Sequence, residues 1–177
     1  LSLLLLVLVL VPGIGREVSG ARRWFRFKFL SFQPSEFANF AIIIYTADFI
    51  ARKSNAIKYF FKGFLPPICI LGAYALLILM QPDLGTTLAM AMVVFMMLFI
   101  AGVRLTYLAS LVLASLPALY LLIFSVPYRR VRILAFLNPW LDPRGSGFQI
   151  IQSQVALGSG GVFGVGLGHS RQKLFYL

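Results

Sequence analysis

An aspartate stands at the break between two long apolar runs of the chain. Asp83 lies in the stretch Gln-Pro-Asp-Leu-Gly of residues 81–85, with the apolar residues 64–80 before it and 86–102 after it. A charged side chain inside a membrane segment costs about 2.5 to 3.5 kcal/mol on insertion scales, so such acids tend to face a wet cavity or a partner. Proline and glycine also interrupt helices, as they do at a membrane-interface turn. Asp83 is therefore a candidate site residue.

The composition is that of an integral membrane protein. Hydrophobic residues make up 60% of the 177 residues and charged residues only 12%, whereas a soluble domain has about 25% charged residues. Cys69, the single cysteine, lies in an apolar run, which excludes disulfides and cysteine-ligated metal centres within this chain. Residues 1–11 are apolar but span only about half a bilayer, so we expect a fragment of a longer protein.

The apolar runs predict an all-α fold, a polytopic transmembrane helical bundle with a long extracytoplasmic segment. Helices are predicted near residues 1–11, 34–51, 64–80, 86–102 and 105–126. Pro34 suits the first turn of its helix, and Pro117 predicts a kink. Residues 127–177 are rich in Gly, Pro, Arg and Gln, and they either cap the bundle or re-enter it between protein walls. We treat residues 1–177 as a single transmembrane domain fragment.

Parity predicts which parts of the chain share a face of the membrane. If each helix crosses once, the loop of residues 12–33, the Asp83 turn and the segment from residue 127 emerge together, with most of the Lys and Arg residues. A count of positive charges would make that face cytoplasmic, but long segments are translocated largely regardless of charge. An anionic ligand is the other explanation for these cations. The residues alone leave the orientation open.

The loop of residues 12–33 combines cations with aromatic side chains. Residues 25–29 alternate aromatic and basic side chains, which predicts an extended segment at the membrane surface. That segment is either an interfacial anchor or part of a ligand surface. Arg22 and Arg23, directly before Trp24, resemble an anion clamp more closely, because guanidinium groups match the geometry of phosphate oxygens.

Two acids on the second predicted helix have different interpretations. Glu36, which follows Gln33 at the helix start, either stabilises the helix dipole or acts as a functional acid near the cationic loop. Asp48 stands four residues before Arg52, a spacing that predicts an ion pair on the helix surface.

The segment after the fifth predicted helix begins with an arginine cluster. Arg129, Arg130 and Arg132 either bind lipid headgroups without specificity or bind a specific anion.

The glycine-rich residues 158–168 lack the Gly-Lys-Ser/Thr of a phosphate loop, so we reject a nucleotide site. The spacing of Gly160, Gly164 and Gly168 instead predicts close helix packing. The single histidine, His169, has no acid near it in the sequence, which argues against a nucleophilic triad.

Taken together, these motifs resemble the SEDS family of membrane glycosyltransferases, named for shape, elongation, division and sporulation. The resemblance rests on residues 20–24, 33–36, 81–85, 145–149, 152–154 and 166–173, which follow in order along essentially the whole chain. Residues 127–130 and 138–140 look more like the division-associated branch, FtsW, than the elongation branch, RodA. A sporulation paralogue is the alternative.

The resemblance implies roughly ten transmembrane helices in the full-length protein. It also implies a multi-pass protein of the bacterial plasma membrane, at the division septum, with the Asp83 face extracytoplasmic. The implied function is polymerisation of lipid II into peptidoglycan glycan strands, with undecaprenyl diphosphate as the leaving group. Implied partners are lipid II, membrane lipids, a class B penicillin-binding protein transpeptidase and other divisome proteins, and no nucleic acid. A lipid II flippase and a scaffold for the transpeptidase are the alternatives.

Glycosyl transfer needs a base for the acceptor hydroxyl and cations for the diphosphate. The family resemblance places the main base beyond Leu177, so Asp83 and Glu36 are supporting catalytic candidates. The predicted substrate-binding residues are Arg22, Arg23, Trp24, Gln33, Arg129, Arg130, Arg132, Gln152 and Lys173. No cofactor motif or metal-ligand set is recognisable, and a divalent cation is left open.

Two of these acids receive more specific predictions. Family members commonly have Lys where this chain has Asn39, so Glu36 is predicted either to face an arginine or to carry a proton. Asp83 is predicted to line the substrate cavity, where it orients groups or pairs with a cation.

Overall fold

The computed structural model describes the chain except residues 12–14, 19–20, 27–30, 162, 167 and 170–177. It also leaves the side chains of residues 16–18, 21–22 and 26 undescribed. The chain divides into two compact units, Leu1–Leu113 and Ala114–Leu177. We describe each unit by itself, and the assignment of the chain to one transmembrane domain stays a prediction.

Five helices form where the apolar runs predict them, bounded by the proline, glycine and charged residues between the runs. They are α1 (Ser2–Leu10), α2 (Pro34–Arg52), α3 (Leu65–Leu79), α4 (Leu84–Ile100) and α5 (Leu105–Phe124). A π-helical segment, Phe60–Phe64, runs directly into α3. The combined stretch Phe60–Leu79 and helix α5 are each 20 residues long and apolar enough to cross a membrane, whereas α4 is shorter. Pro117 lies inside α5.

The core of the first unit consists of side chains repeated at helical spacing. Residues four apart on α2 and α4 form two buried stripes, and α3 adds a third; the members are Ala38, Ile42, Thr46, Met90, Val94, Leu98, Leu71, Tyr74 and Ile78. Such i±4 ridges pack into the grooves of a neighbouring helix. This packing fixes α2, α3 and α4 against one another, and with them the turn between α3 and α4 that contains Asp83.

A small antiparallel sheet fills the loop between α1 and α2. Its strands are β1 (Arg16–Val18), β2 (Ala21–Arg26) and β3 (Ser31–Phe32), in the order β1-β2-β3. The predicted extended conformation is thus confirmed for the first part of the aromatic segment, where Phe25 is buried. The rest of the alternating pattern, residues 27–29, lies outside the described residues.

The segment predicted as a long loop contains regular structure. Helix α6 (Pro127–Leu137) is followed by a 3₁₀ turn, Pro139–Leu141, and by α7 (Phe148–Gly160). The prediction of helix packing through Gly160, Gly164 and Gly168 is wrong, because α7 ends at Gly160 and the other two have φ of 74° and 82°. Glycine adopts these left-handed conformations at low cost, which explains its repetition better than helix contact does.

Candidate functional site

Arg23 of β2 is bonded to the turn that contains Asp83. Its Nε donates to the Gln81 carbonyl oxygen at 2.8 Å, and its Nη2 donates to the Pro82 carbonyl oxygen at 2.7 Å. Its Nη1 lies 4.0 Å from Oδ2 of Asp83. Backbone carbonyls at and beyond a helix end lack intrahelical donors, so a guanidinium fork is well suited to them. The loop and the turn therefore meet at one end of the bundle, as parity predicts.

Asp83 caps the helix that follows it. Its Oδ1 accepts a hydrogen bond from the Thr86 backbone N–H at 3.2 Å, and its Oδ2 accepts one from Thr86 Oγ1 at 2.9 Å. Thr87 Oγ1 donates to the Asp83 backbone carbonyl at 2.8 Å. The Asp83 side chain is 13% exposed. Because both carboxylate oxygens already have donors, this geometry suits an orienting group better than a proton acceptor.

Gln81 connects the same turn to a third element. Its side chain is 1% exposed, and its Nε2 donates to the Leu6 carbonyl oxygen of α1 at 3.4 Å. Its Oε1 is buried and has no hydrogen-bond partner within the described part of the chain. The turn is thus tied to α1, β2 and α4 at once. We call the residues Arg23, Gln81, Pro82, Asp83 and Thr86 the Asp83 junction.

The start of α2 contains the second predicted acid. Gln33 occupies the N-cap position, and its Nε2 donates to Ser35 Oγ at 2.8 Å. Glu36 lies in the first helical turn with an exposed side chain, and it forms no ion pair with any described residue. Oδ1 of Asn39, one turn further on, is buried without a described partner. The observed position suits interaction with the helix dipole, and a functional role for Glu36 stays a prediction.

The arginines of the second unit differ in what they contact. Arg129 Nη1 donates to the Leu122 carbonyl oxygen in the last turn of α5 at 2.7 Å. The Arg132 guanidinium lies 4.6 Å from the centroid of the Tyr128 ring, at cation–π distance. Arg130 is exposed, and its side chain has no hydrogen bond or ion pair to the described residues. Of the three, only Arg130 thus has a guanidinium group free of described contacts.

The remaining predicted substrate residues lie in both units. Trp24 on β2 and Gln152 on α7 are half-buried. The side chain of Arg22 and the whole of Lys173 lie outside the described residues. The roles of all four stay predictions.

A second acid turn was missed by the sequence analysis. The Asp142 carboxylate accepts hydrogen bonds from Ser146 N at 2.8 Å, Ser146 Oγ at 3.2 Å and Gly145 N at 3.1 Å. These bonds, first of all the one from the Ser146 backbone, hold the pKa of Asp142 below its ordinary value, against an opposing effect of desolvation. The signal was the stretch Asp-Pro-Arg-Gly-Ser-Gly of residues 142–147 before a helix, a pattern typical of turns closed by aspartate.

An apolar groove of about 440 Å³ lies elsewhere, along one face of α2. Its lining consists of Phe37, Phe40, Ala41, Ile44, Tyr45 and Asp48, so it does not include the Asp83 junction. At its far end, Arg52 Nε lies 2.8 Å from Asp48 Oδ1, which confirms the predicted ion pair. Both partners are well exposed, so this pair contributes little to stability.

Comparisons with known proteins address the whole chain. The family model FtsW/RodA/SpoVE, described as cell cycle protein, matches residues 1–177. The chain is 50% identical over 175 residues to a probable peptidoglycan glycosyltransferase FtsW of Geobacter sulfurreducens, covering 99% of this chain and 47% of that protein. It is 49% identical over 173 residues to stage V sporulation protein E of Bacillus subtilis, covering 98% of this chain and 47% of that protein.

The fold also resembles a solved structure. The match has a TM-score of 0.68 and 38% identity. The matching chain comes from a structure described as "Structural coordination of polymerization and crosslinking by a peptidoglycan synthase complex". The match covers 91% of this chain and 47% of the other. These findings confirm the predicted class, an all-α polytopic transmembrane bundle, whereas the total number of helices stays a prediction.

The chain spans about half the length of the curated relatives it matches. Division and sporulation relatives are almost equally similar to it, so identity does not separate those branches. The match to the family model extends over every residue, and the resemblance seen in the sequence motifs is confirmed. The chain belongs to the FtsW/RodA/SpoVE family of membrane proteins, the SEDS family.

Proposed function

We propose that the protein of which this chain is part polymerises lipid II into peptidoglycan glycan strands during septal wall synthesis. The observation that supports this most strongly is the identity of 50% over 99% of the chain to a protein named probable peptidoglycan glycosyltransferase. The proposed partner is a class B transpeptidase, because the similar solved chain belongs to a complex described as joining polymerization to crosslinking. The Asp83 junction is proposed to lie on the extracytoplasmic side.

The proposed reaction is a glycosyl transfer between two lipid-linked sugars. The hydroxyl of the acceptor sugar attacks the anomeric carbon of the donor, the bond to the diphosphate breaks, and undecaprenyl diphosphate leaves with the electron pair. A base must take the hydroxyl proton, and cations must stabilise the charge on the leaving diphosphate. We propose that the base lies in the part of the protein beyond Leu177.

In this proposal the Asp83 junction positions the site and does not transfer the proton. Arg23 makes two short bonds to backbone carbonyls, so its guanidinium group is not free to grip a phosphate. Asp83 is already hydrogen-bonded at both oxygens by Thr86. Together they hold β2, with Arg22 and Trp24, against the start of α4. Arg22 and Trp24 are the substrate contacts that this arrangement would place.

The test is polymerisation of purified lipid II by the full-length protein with its transpeptidase partner, with glycan strands resolved by length on a gel. We expect wild-type protein to make strands and the Arg23→Ala variant to make very few. Asp48→Asn is the matched control, because it removes an acid of the same bundle at the opposite end of α2 and should leave strand synthesis unchanged.

The same preparation separates the alternatives. A scaffold would support no polymerisation in any variant, even though the folded protein binds its transpeptidase. A flippase would move labelled lipid II across a vesicle membrane without elongating it. Either result, obtained with folded wild-type protein and active lipid II, would end the polymerase proposal.

A further inference from the structure

Helix α6 begins only two residues after the end of α5. The connection is Ser125 and Val126, and the Arg129 side chain bonds back to Leu122 in the last turn of α5. Helix α5 is long and apolar enough to cross a membrane. If α5 crosses the bilayer, the first turn of α6 lies where that helix leaves the hydrocarbon, at the level of the lipid headgroups.

The charge of this segment has one sign. Arg129, Arg130 and Arg132 occupy the first half of α6, and the sequence has no Asp or Glu between Asp83 and Asp142. Anionic headgroups attract basic residues next to a spanning helix, by about fivefold in binding for each Lys or Arg. Of the three, Arg130 is exposed, and its guanidinium group forms no hydrogen bond, ion pair or ring contact with the described residues.

The second half of α6 and the turn after it are apolar and exposed. Phe136 and Leu137 are each 73% exposed, Trp140 is 66% exposed and Leu141 is 76% exposed. The inner side of the same helix is packed through Ala135, and Pro139 of the turn is buried. The segment is thus folded against its own unit on one side while large apolar side chains point away from that unit on the other.

The basic first half and the apolar second half of α6 lie a short distance apart along the helix axis. Arg130 and Leu137 lie seven residues apart, about 10 Å along the axis, and Arg130, Leu134 and Leu137 fall on one stripe. Interfacial helices bury their apolar side chains about 5 to 10 Å into the headgroup–acyl boundary while their cations stay among the headgroups. Tryptophan is also enriched at this depth.

We propose that α6 and the turn Pro139–Leu141 form a docking surface for an anionic phospholipid bilayer. Arg130 contacts headgroup phosphates, and Phe136, Leu137, Trp140 and Leu141 enter the outer part of the hydrocarbon. Arg129 keeps the start of α6 joined to α5, so the surface is held at the boundary. The proposal does not rest on the proposed polymerase activity, because its test uses phospholipid bilayers without lipid II.

The test uses full-length protein with native cysteines replaced, in nanodiscs of phosphatidylcholine alone or mixed with phosphatidylglycerol. A nitroxide label is placed at Phe136→Cys, and a matched label is placed at Arg144→Cys on the exposed turn after the surface. Accessibility to oxygen, which concentrates in lipid, is compared with accessibility to a water-soluble nickel chelate. We expect the Phe136 label to favour oxygen and the Arg144 label to favour the chelate.

The charge dependence provides the second measurement. With phosphatidylglycerol present, Arg130→Gln should reduce the ratio of docked to undocked segment about fivefold, and with phosphatidylcholine alone it should have little effect. A Phe136 label open to the nickel chelate would overturn the proposal, as would one shielded from both reagents, since that would mean a protein neighbour. Equal docking in both lipids, unchanged by Arg130→Gln, would overturn the role of anionic headgroups.

Discussion

Two arginine-rich regions of this protein look alike in sequence and differ in structure. At the Asp83 junction, Arg23 is bonded to two backbone carbonyls and faces a largely buried carboxylate. In α6, Arg130 is exposed and its guanidinium group has no described partner, while Arg129 bonds to the end of α5 and Arg132 lies over the Tyr128 ring. The difference shows that a cation beside a membrane helix can hold backbone together or face outward to a ligand, and that the carbonyls within reach decide which.

The largest effect is expected at Arg23, where the two regions differ most. Arg23→Ala leaves the Gln81 and Pro82 carbonyls without their donors, at about 1.5 to 3 kcal/mol for each bond to a charged group. A site displaced by about 1 Å can lose about a hundredfold in rate, and we expect a loss of this order in strand synthesis. Lysine has one ammonium nitrogen in place of the guanidinium fork, so Arg23→Lys should restore only part of the rate of strand synthesis. Wild-type rates in Arg23→Ala would show that the junction has no positioning role.

A smaller effect is expected at Asp83, where the cap and the charge can be separated. Asparagine caps helices about as well as aspartate, whereas alanine costs about 1 kcal/mol. Asp83→Asn should therefore retain most strand synthesis and Asp83→Ala should lose most of it while the protein stays folded and inserted. The rates and the denaturation midpoint of both variants provide the check. An Asp83→Asn variant that is folded but inactive would instead indicate an essential negative charge or a proton acceptor.

The next effect concerns Arg129, the member of the α6 cluster that most resembles Arg23. Arg129→Gln removes the bond to the Leu122 carbonyl, so we expect the unfolding free energy to fall by about 1 to 2 kcal/mol. Arg130→Gln, next to it, should leave that free energy unchanged. Measurement of both variants in detergent tests whether the two neighbours have different roles, and equal destabilisation would remove the distinction.

The smallest effect is a pH dependence in the second unit. Because the folded state lowers the pKa of Asp142 below its ordinary 3.8, the ionised form contributes stability above that value. That contribution is lost as the pH falls below 3.8 and through the pKa of the folded state. Asp142→Asn should flatten this acid-side dependence in a stability profile recorded against pH. An unchanged profile in the variant would assign the dependence to other groups.

The positions of the helices could be predicted closely, and those of the side-chain partners could not. The run of apolar residues from 105 onward predicted α5 with its exact first residue, because a helix that crosses lipid must satisfy its own backbone. The same reasoning treated residues 127–177 as a loop, since α6 is too basic to resemble a spanning helix. The Asp142 turn was missed because its residues show no apolar periodicity, and the turn is defined by local hydrogen bonds instead.

In the candidate site too, the sequence predicted which residues are involved but not which atoms they contact. Pairing of Asp83 with a cation was predicted from its surroundings, and Arg23 lies 4.0 Å from it. The prediction of Arg23 as a phosphate ligand did not foresee its two carbonyl partners, which come from residues 58 and 59 positions away. Glu36 lacks a described cationic partner, and sequence alone offered several arginines for it.

The sequence by itself determined the membrane class, the five apolar helices and the family, because apolar run length and motif order are written along the chain. The tertiary structure decided which polar groups meet. Packing of α2, α3 and α4 places the end of α3 next to β2. The Arg23 side chain therefore donates to the backbone carbonyls there and is not available to a ligand. Within the described part of the chain no carbonyl accepts a hydrogen bond from the Arg130 guanidinium group, which leaves its charge available for the proposed contact with a bilayer.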